Sequence, residues 1–273
     1  MPVYLMNYVN QLVEADVSEA DTARESLDEC TFHINSTVSV RVKRHCFAGY
    51  FATAVFVLVN IIAMLTSPAI VFAQAGTLVV PRIQYDGGGD WYTDPTSMPN
   101  LLKAAAAQLN ILTRPDNLAI RVSDTELFSY PMLYLTGHGN VKFDEVEINR
   151  LVTYLDNGGF LWIDDCYGID RSIRRELKKM YPELQLAAIP ADHPIFHTVF
   201  DFPKGLPKVH EHDGKPPVAY GIFNKGRLAV LYTFETDIGC GLEDQGVHPE
   251  DKPEIREQAL HMALNILVFA MNQ

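Results

Sequence analysis

Pro131-Met132-Leu133-Tyr134-Leu135-Thr136-Gly137-His138-Gly139-Asn140 decides the fold. Its first six residues are apolar without alternation, then break at a glycine-histidine-glycine turn. A run this short, bounded by glycine, reads as a strand buried on both faces. Asp144–Asn157 follows with Ile148, Leu151, Val152 and Leu155 on one helical face. Asn157-Gly158-Gly159 stops that helix. Phe160–Ile163 is a second buried strand. Strand, helix and strand in this order make a parallel crossover unit.

The same alternation extends outward. Upstream, Thr77–Tyr85 is strand-like, Ser97 offers an N-cap for an alanine-rich helix over Met98–Asn110 with Pro99 in its first turn, and Leu118–Val122 is a short β-branched run. Downstream, Arg171–Tyr181 is a polar, basic helix that Pro182 ends, and Leu184–Ile189 reads as a further strand. Val218–Phe223 and Arg227–Phe234 flank Asn224-Lys225-Gly226, a hairpin signal. Glu254–Met271 is a closing helix with Ile255, Ala259, Met262, Ala263, Ile266 and Leu267 inward. The expectation is an α/β domain with a mainly parallel sheet covered by helices on both faces.

The first quarter of the chain reads differently. No charged side chain occurs from Cys46 to Pro81, and Phe47–Leu65 is apolar except for Gly49, Thr53 and Asn60. Arg41, Lys43, Arg44 and His45 precede this run, and Ala73-Gln74-Ala75 follows it. That is the layout of a secretory signal peptide cleaved after Ala75. An uncleaved single-pass anchor is the alternative, since about 20 apolar residues span a bilayer. Both readings export the domain at 76–273, to the periplasm or beyond, because the basic residues stay inside. Residues 1–45 are a polar, acidic extension: either a short cytoplasmic tail or an over-extended reading frame whose true start is near Val42.

The net charge is −12. Residues 76–273 carry 18 basic and 27 acidic side chains, with no basic cluster. That excludes a nucleic-acid partner and leaves 46–75 as the only membrane contact. Cys166 and Cys240 are the two cysteines of the exported part, so one disulfide is open to it.

Parallel sheets bind ligands beyond the carboxyl ends of their strands. Four such ends carry glycine beside titratable groups. The first is Asp86-Gly87-Gly88-Gly89-Asp90-Trp91-Tyr92, where the glycines allow close approach of backbone to a ligand. Its carboxylates would repel phosphate and suit a divalent cation or sugar hydroxyls stacked on the rings. No dinucleotide fingerprint or phosphate loop occurs, and no cofactor is identified. The second end holds His138, a general acid or base between two glycines. The third is Asp164-Asp165-Cys166-Tyr167-Gly168, where a thiol in a strand-to-helix turn is a candidate nucleophile; a structural thiol or a disulfide with Cys240 is the bland reading. The fourth is Glu235-Thr236-Asp237-Ile238-Gly239-Cys240-Gly241. Asp192-His193-Pro194 and His210-Glu211-His212-Asp213 could supply metal ligands, and His248-Pro249-Glu250 could complete a triad with a cysteine, but all three read first as surface loops.

Together, Arg82–Tyr92, Tyr134–Gly139, Gly158–Cys166, Asp192–Phe196 and Asp237–Gly241 resemble the blocks of the bacterial domain-of-unknown-function family 4159 over residues 77–272. That family resembles the class I glutamine amidotransferase-like superfamily, which implies a flavodoxin-like three-layer sandwich and no particular activity. Cys166-Tyr167-Gly168 is similar to the amidotransferase nucleophile turn. His248-Pro249-Glu250 lies too far beyond Phe234 to match that superfamily's His-Pro-Glu, which speaks against glutaminase activity. The sequence therefore points to an exported domain that binds a small polar ligand, such as a carbohydrate, at Asp86, Gly87, Gly88, Gly89, Asp90, Trp91, Tyr92 and Asp237. A hydrolase using Cys166 or a bound cation, with His138 and Asp165, is the second reading. A non-catalytic assembly module is the third.

Overall fold

The structure is a computed structural model that describes the backbone of Glu29–Asn35 and Val38–Lys43, and residues 76–273 in full. The segment read as signal or anchor, 46–75, lies outside the described residues. Among the described residues no helix is long and apolar enough to cross a membrane. The chain divides into two compact units, 1–72 and 73–273.

In the first unit β1 (Glu29–Asn35) and β2 (Val38–Lys43) pair antiparallel, from Glu29 opposite Lys43 to Asn35 opposite Val38. This hairpin was not legible within a polar extension treated as featureless.

The second unit is a mixed α/β fold. Its strands are β3 (Arg82–Gln84), β4 (Ala119–Arg121), β5 (Met132–Leu135), β6 (Phe160–Asp164), β7 (Ala187–Ala188), β8 (Val218–Asn224) and β9 (Arg227–Phe234). They form one seven-stranded sheet in the order β4-β3-β5-β6-β9-β8-β7. The pairs from β4 to β9 are parallel, while β8 and β7 add an antiparallel edge. The chain leaves β3 for β4 on one side and then returns to place β5 on the other. The carboxyl ends of β3, β5, β6 and β9 therefore share one edge.

The helices are α1 (Ser97–Leu109), α2 (Glu145–Asp156), α3 (Asp170–Met180), α4 (Ile238–Gly241) and α5 (Pro253–Met271). Period-two alternation within wholly buried strands feeds two cores. Met132, Tyr134, Phe160 and Trp162 pack with α1 and α5, whereas Leu133, Leu135, Leu161 and Ile163 pack with α2 and α3. Each of these fully buried apolar side chains contributes about 1.5–3 kcal/mol. Asp144 caps α2 in a reciprocal capping box with Glu147.

Three expected elements change. The expected strand over Thr77–Tyr85 shrinks to Arg82–Gln84, with Leu78 joined to Thr113 by a lone bridge; Pro81 has no N–H to extend the ladder. Ser97 is the first residue of α1, not its cap: Thr96 holds that place without a side-chain cap bond, and the Ser97 hydroxyl donates to Asp94 O at 2.8 Å. Leu184–Ile189 yields only the two-residue β7.

Candidate functional site

The triple-glycine turn comes first, because it lies at the end of β3 beside the end of β5. Gly89 N–H donates to Asn140 O at 3.1 Å, and Asp90 N–H to His138 O at 3.3 Å. Backbone thus lies on backbone. A Cβ on Gly87 or Gly89 would run into the carbonyls of Asn140 and His138. Gly87 and Gly89 are needed for this close packing of two turns, whereas a Cβ on Gly88 would meet open space. Asp86 is 66% exposed and reaches Arg121 at 3.5 Å. Trp91 packs against the core beneath α2 and α3, edge-on to the exposed Tyr92.

What the turn delivers is Asp90. Its Oδ1 accepts the backbone N–H of His138, and its Oδ2 accepts from His138 Nδ1 at 2.9 Å. That fixes the imidazole with Nε2 facing Cys166 Sγ, 3.2 Å away. Gly137, at φ 144°, aims the histidine, and a Cβ there would overlap the Tyr85 hydroxyl. The hydrogen bond to Cys166 outweighs burial and, with Asp90, raises the His138 imidazole to about 10. A carboxylate, an imidazole and a thiol in one hydrogen-bonded row are the parts of an activated nucleophile.

Behind Cys166 lies a buried floor rich in acids. Cys240 Sγ is 3.4 Å from Cys166 Sγ and donates to Asp94 Oδ1 at 3.3 Å. Both cysteines are free and buried. The contact with Cys166, then burial, then Asp237 and Asp94 push the Cys240 thiol up. Asp94 is presented by a loop that Arg82 ties down, through Thr93 O at 2.5 Å and Asp94 O at 2.8 Å. Burial, then the charge of Asp237, raises Asp94 to about 6. Asp164 is fully buried and accepts from Gly239 N–H at 2.6 Å, with its carboxyl pushed well up by burial and by Asp237. Asp237 opposes this trend. Burial raises it, but His210 at 2.6 Å and His212 at 3.3 Å donate to its Oδ2 and hold it at about 2. His210 also reaches Asp251 Oδ1 at 2.8 Å; the two carboxylates raise it to about 9, Asp237 contributing more.

A cavity of about 680 Å³ opens over this constellation. Thr93, Asp94, Pro95, His138, Cys166, Tyr167, Asp237 and Cys240 line it from the strand ends. Glu243 and Val247 complete that wall. His210, Glu211, His212, His248 and Glu250 close it from irregular segments. His138, Cys166 and Asp237 are thus together. Asp86, Gly87, Gly88, Gly89, Asp90, Trp91 and Tyr92 do not line the cavity, and Asp90 acts beneath it on His138. Asp165 is also elsewhere: its Oδ2 accepts from the Tyr232 hydroxyl at 3.2 Å, which ties the turn after β6 to β9. Successive strand residues point to opposite faces, which separates Asp165 from the acids under Cys166. His210, His212 and His248 were read as surface loops. The pairing of His210 and His212 with Asp237 goes with Val209 N–H reaching Thr236 O at 2.9 Å, a contact no local pattern signals, while His248 lies against the His210 ring and Glu250. No described lysine or arginine lines the cavity.

A family model described as a domain of unknown function, DUF4159, matches residues 79–271. No curated protein matches the chain.

Proposed function

The chain belongs to the DUF4159 family, and we propose that it is a thiol-dependent hydrolase of a small, uncharged or cationic carbonyl compound. The observation that carries this reading is the row Asp90–His138–Cys166, with spacings of 2.9 and 3.2 Å at the base of a cavity. Cys166 Sγ attacks the carbonyl carbon and its proton passes through His138 Nε2 to the leaving group. The carbonyl–leaving-group bond breaks and an S-acyl intermediate remains. Water, losing a proton to His138, then attacks the acyl carbon; the S–C bond breaks, releasing the acid and regenerating the thiol. Asp90 holds His138 in the orientation that both half-reactions need. A lining with Asp94, Glu211, Asp237, Glu243 and Glu250 but no lysine or arginine disfavours anionic substrates.

The strand order around β3 and β5, which places the cavity where the chain reverses direction across the sheet, supports the flavodoxin-like reading. Cys166 in a turn after a parallel strand supports the likeness to amidotransferase nucleophile turns. The histidine on the sulfur, however, is His138 and not His248. A carbohydrate ligand held by Trp91 and Tyr92 has no support in their placement. The test is turnover of a panel of small esters, thioesters and amides of differing charge. Cationic and neutral members are hydrolysed, and Cys166→Ser lowers kcat/KM by at least about 100-fold. Equal rates in native and Cys166→Ser protein contradict the proposal.

Export remains part of the proposal, carried by Arg41, Lys43 and Arg44 before the apolar run. N-terminal sequencing of the mature protein should begin at Gly76. A cytoplasmic protein retaining residues 46–75 rules export out.

A further inference from the structure

We propose that the floor of the cavity binds a thiophilic divalent cation of the zinc class through Cys166, Cys240, Asp94 and Asp237. One ligand atom from each of these four buried residues lies within 4.8 Å of all the others. Two edges of the set are short, with Sγ to Sγ at 3.4 Å and Cys240 Sγ to Asp94 Oδ1 at 3.3 Å. A tetrahedral zinc with sulfur and oxygen ligands has edges of roughly 3.3–3.8 Å. Two thiolates select zinc over magnesium or calcium, whose sites are built from oxygen.

A separate observation points to a ligand at this place. Asp237 has a side chain only 3% exposed, yet its Oδ1 has no hydrogen-bond partner. Its other oxygen is taken by His210 and His212. An orphaned carboxylate oxygen at such burial is destabilising unless something positive or a donor meets it. Histidines that grip the outer oxygen of a carboxylate orient it, as supporting groups do around metal ligands. No described lysine or arginine forms an ion pair with Asp94 or Asp237; the cation beside them is His210, which meets Asp237 Oδ2 and Asp251 Oδ1 and leaves Asp237 Oδ1 unmet. Binding releases the two thiol protons to solvent, and the cation takes their place between the sulfurs.

This inference goes beyond the hydrolase reading and competes with it for one atom. A cation on Cys166 Sγ masks the nucleophile, so the loaded and acylated states exclude each other. The metal test is therefore independent of turnover.

The full chain is purified without chelator, its metal content measured by plasma mass spectrometry, and the stripped protein titrated with Co²⁺. The expected result is one zinc per chain and, with cobalt, a thiolate charge-transfer band beside the visible bands of a tetrahedral site. Cys240→Ser and Asp94→Asn each abolish the charge-transfer band or weaken cobalt binding by more than about 100-fold, and His210→Ala weakens it about 10- to 100-fold. His138→Ala, which removes no ligand, keeps the band. Circular dichroism of each variant shows that the fold persists; if Cys240→Ser does not fold, Asp94→Asn decides. Protein that neither carries zinc nor gives a cobalt–thiolate band overturns the inference. So does a Cys166–Cys240 disulfide in freshly purified protein, or metal that survives Cys240→Ser and leaves with His248→Ala.

Discussion

Asp90 grips His138 twice, through the backbone N–H and through Nδ1. A carboxylate held on two points leaves the imidazole no rotational choice, and Nε2 falls on Cys166 as a consequence. On the proposed hydrolase reading Asp90 positions, whereas His138 transfers the proton. His138→Ala should lower kcat by about 10²–10⁴-fold with little change in KM. Asp90→Ala should act in the same direction. The double variant should be no slower than His138→Ala alone, because the two side chains work as one unit. Additive losses in the steady-state rates would show that Asp90 does something other than hold the histidine.

At the scale of elements, the site is two turns pressed together. The glycine turn after β3 packs on the turn after β5, and Gly137 at φ 144° lets the second pass beneath the Tyr85 hydroxyl. Gly137→Val combines an unfavourable φ with a steric overlap, and should destabilise the domain by about 1–3 kcal/mol. Urea unfolding followed by the fluorescence of Trp91 and Trp162 measures that loss; an unshifted midpoint would mean the turn is slack. The parallel strands were legible because β5 and β6 are continuous apolar runs, as burial on both faces demands. The first strand was overdrawn because apolar content hides the missing N–H of Pro81. The β1–β2 hairpin was missed although Glu29–Asn35 alternates, because polar composition outweighed period.

The whole molecule gathers its chemistry at one edge of one sheet. His138, Cys166, Asp237 and Cys240 could be singled out from sequence because each lies in the polar, glycine-containing stretch after a strand of the parallel part of the sheet. Asp94 could not: it lies ten residues beyond β3, in a loop fixed by the buried Arg82. His210 and His212 stand out as possible metal ligands, but their partner does not, since they arrive from an irregular segment that only tertiary contacts bring to Asp237. Asp90 stands out beside the glycines, but its bond to His138 joins the ends of two strands and has no local signal. The central claim is that His138 activates Cys166 at the floor of an accessible cavity. The direct measurement is the rate of alkylation of each cysteine by iodoacetamide in chelator-treated native protein and in His138→Ala, mapped by peptide mass spectrometry. Cys166 should react while Cys240 does not, and loss of His138 should slow Cys166 by more than about tenfold. A Cys166 that is inert in native protein, or equally reactive without His138, would contradict the claim.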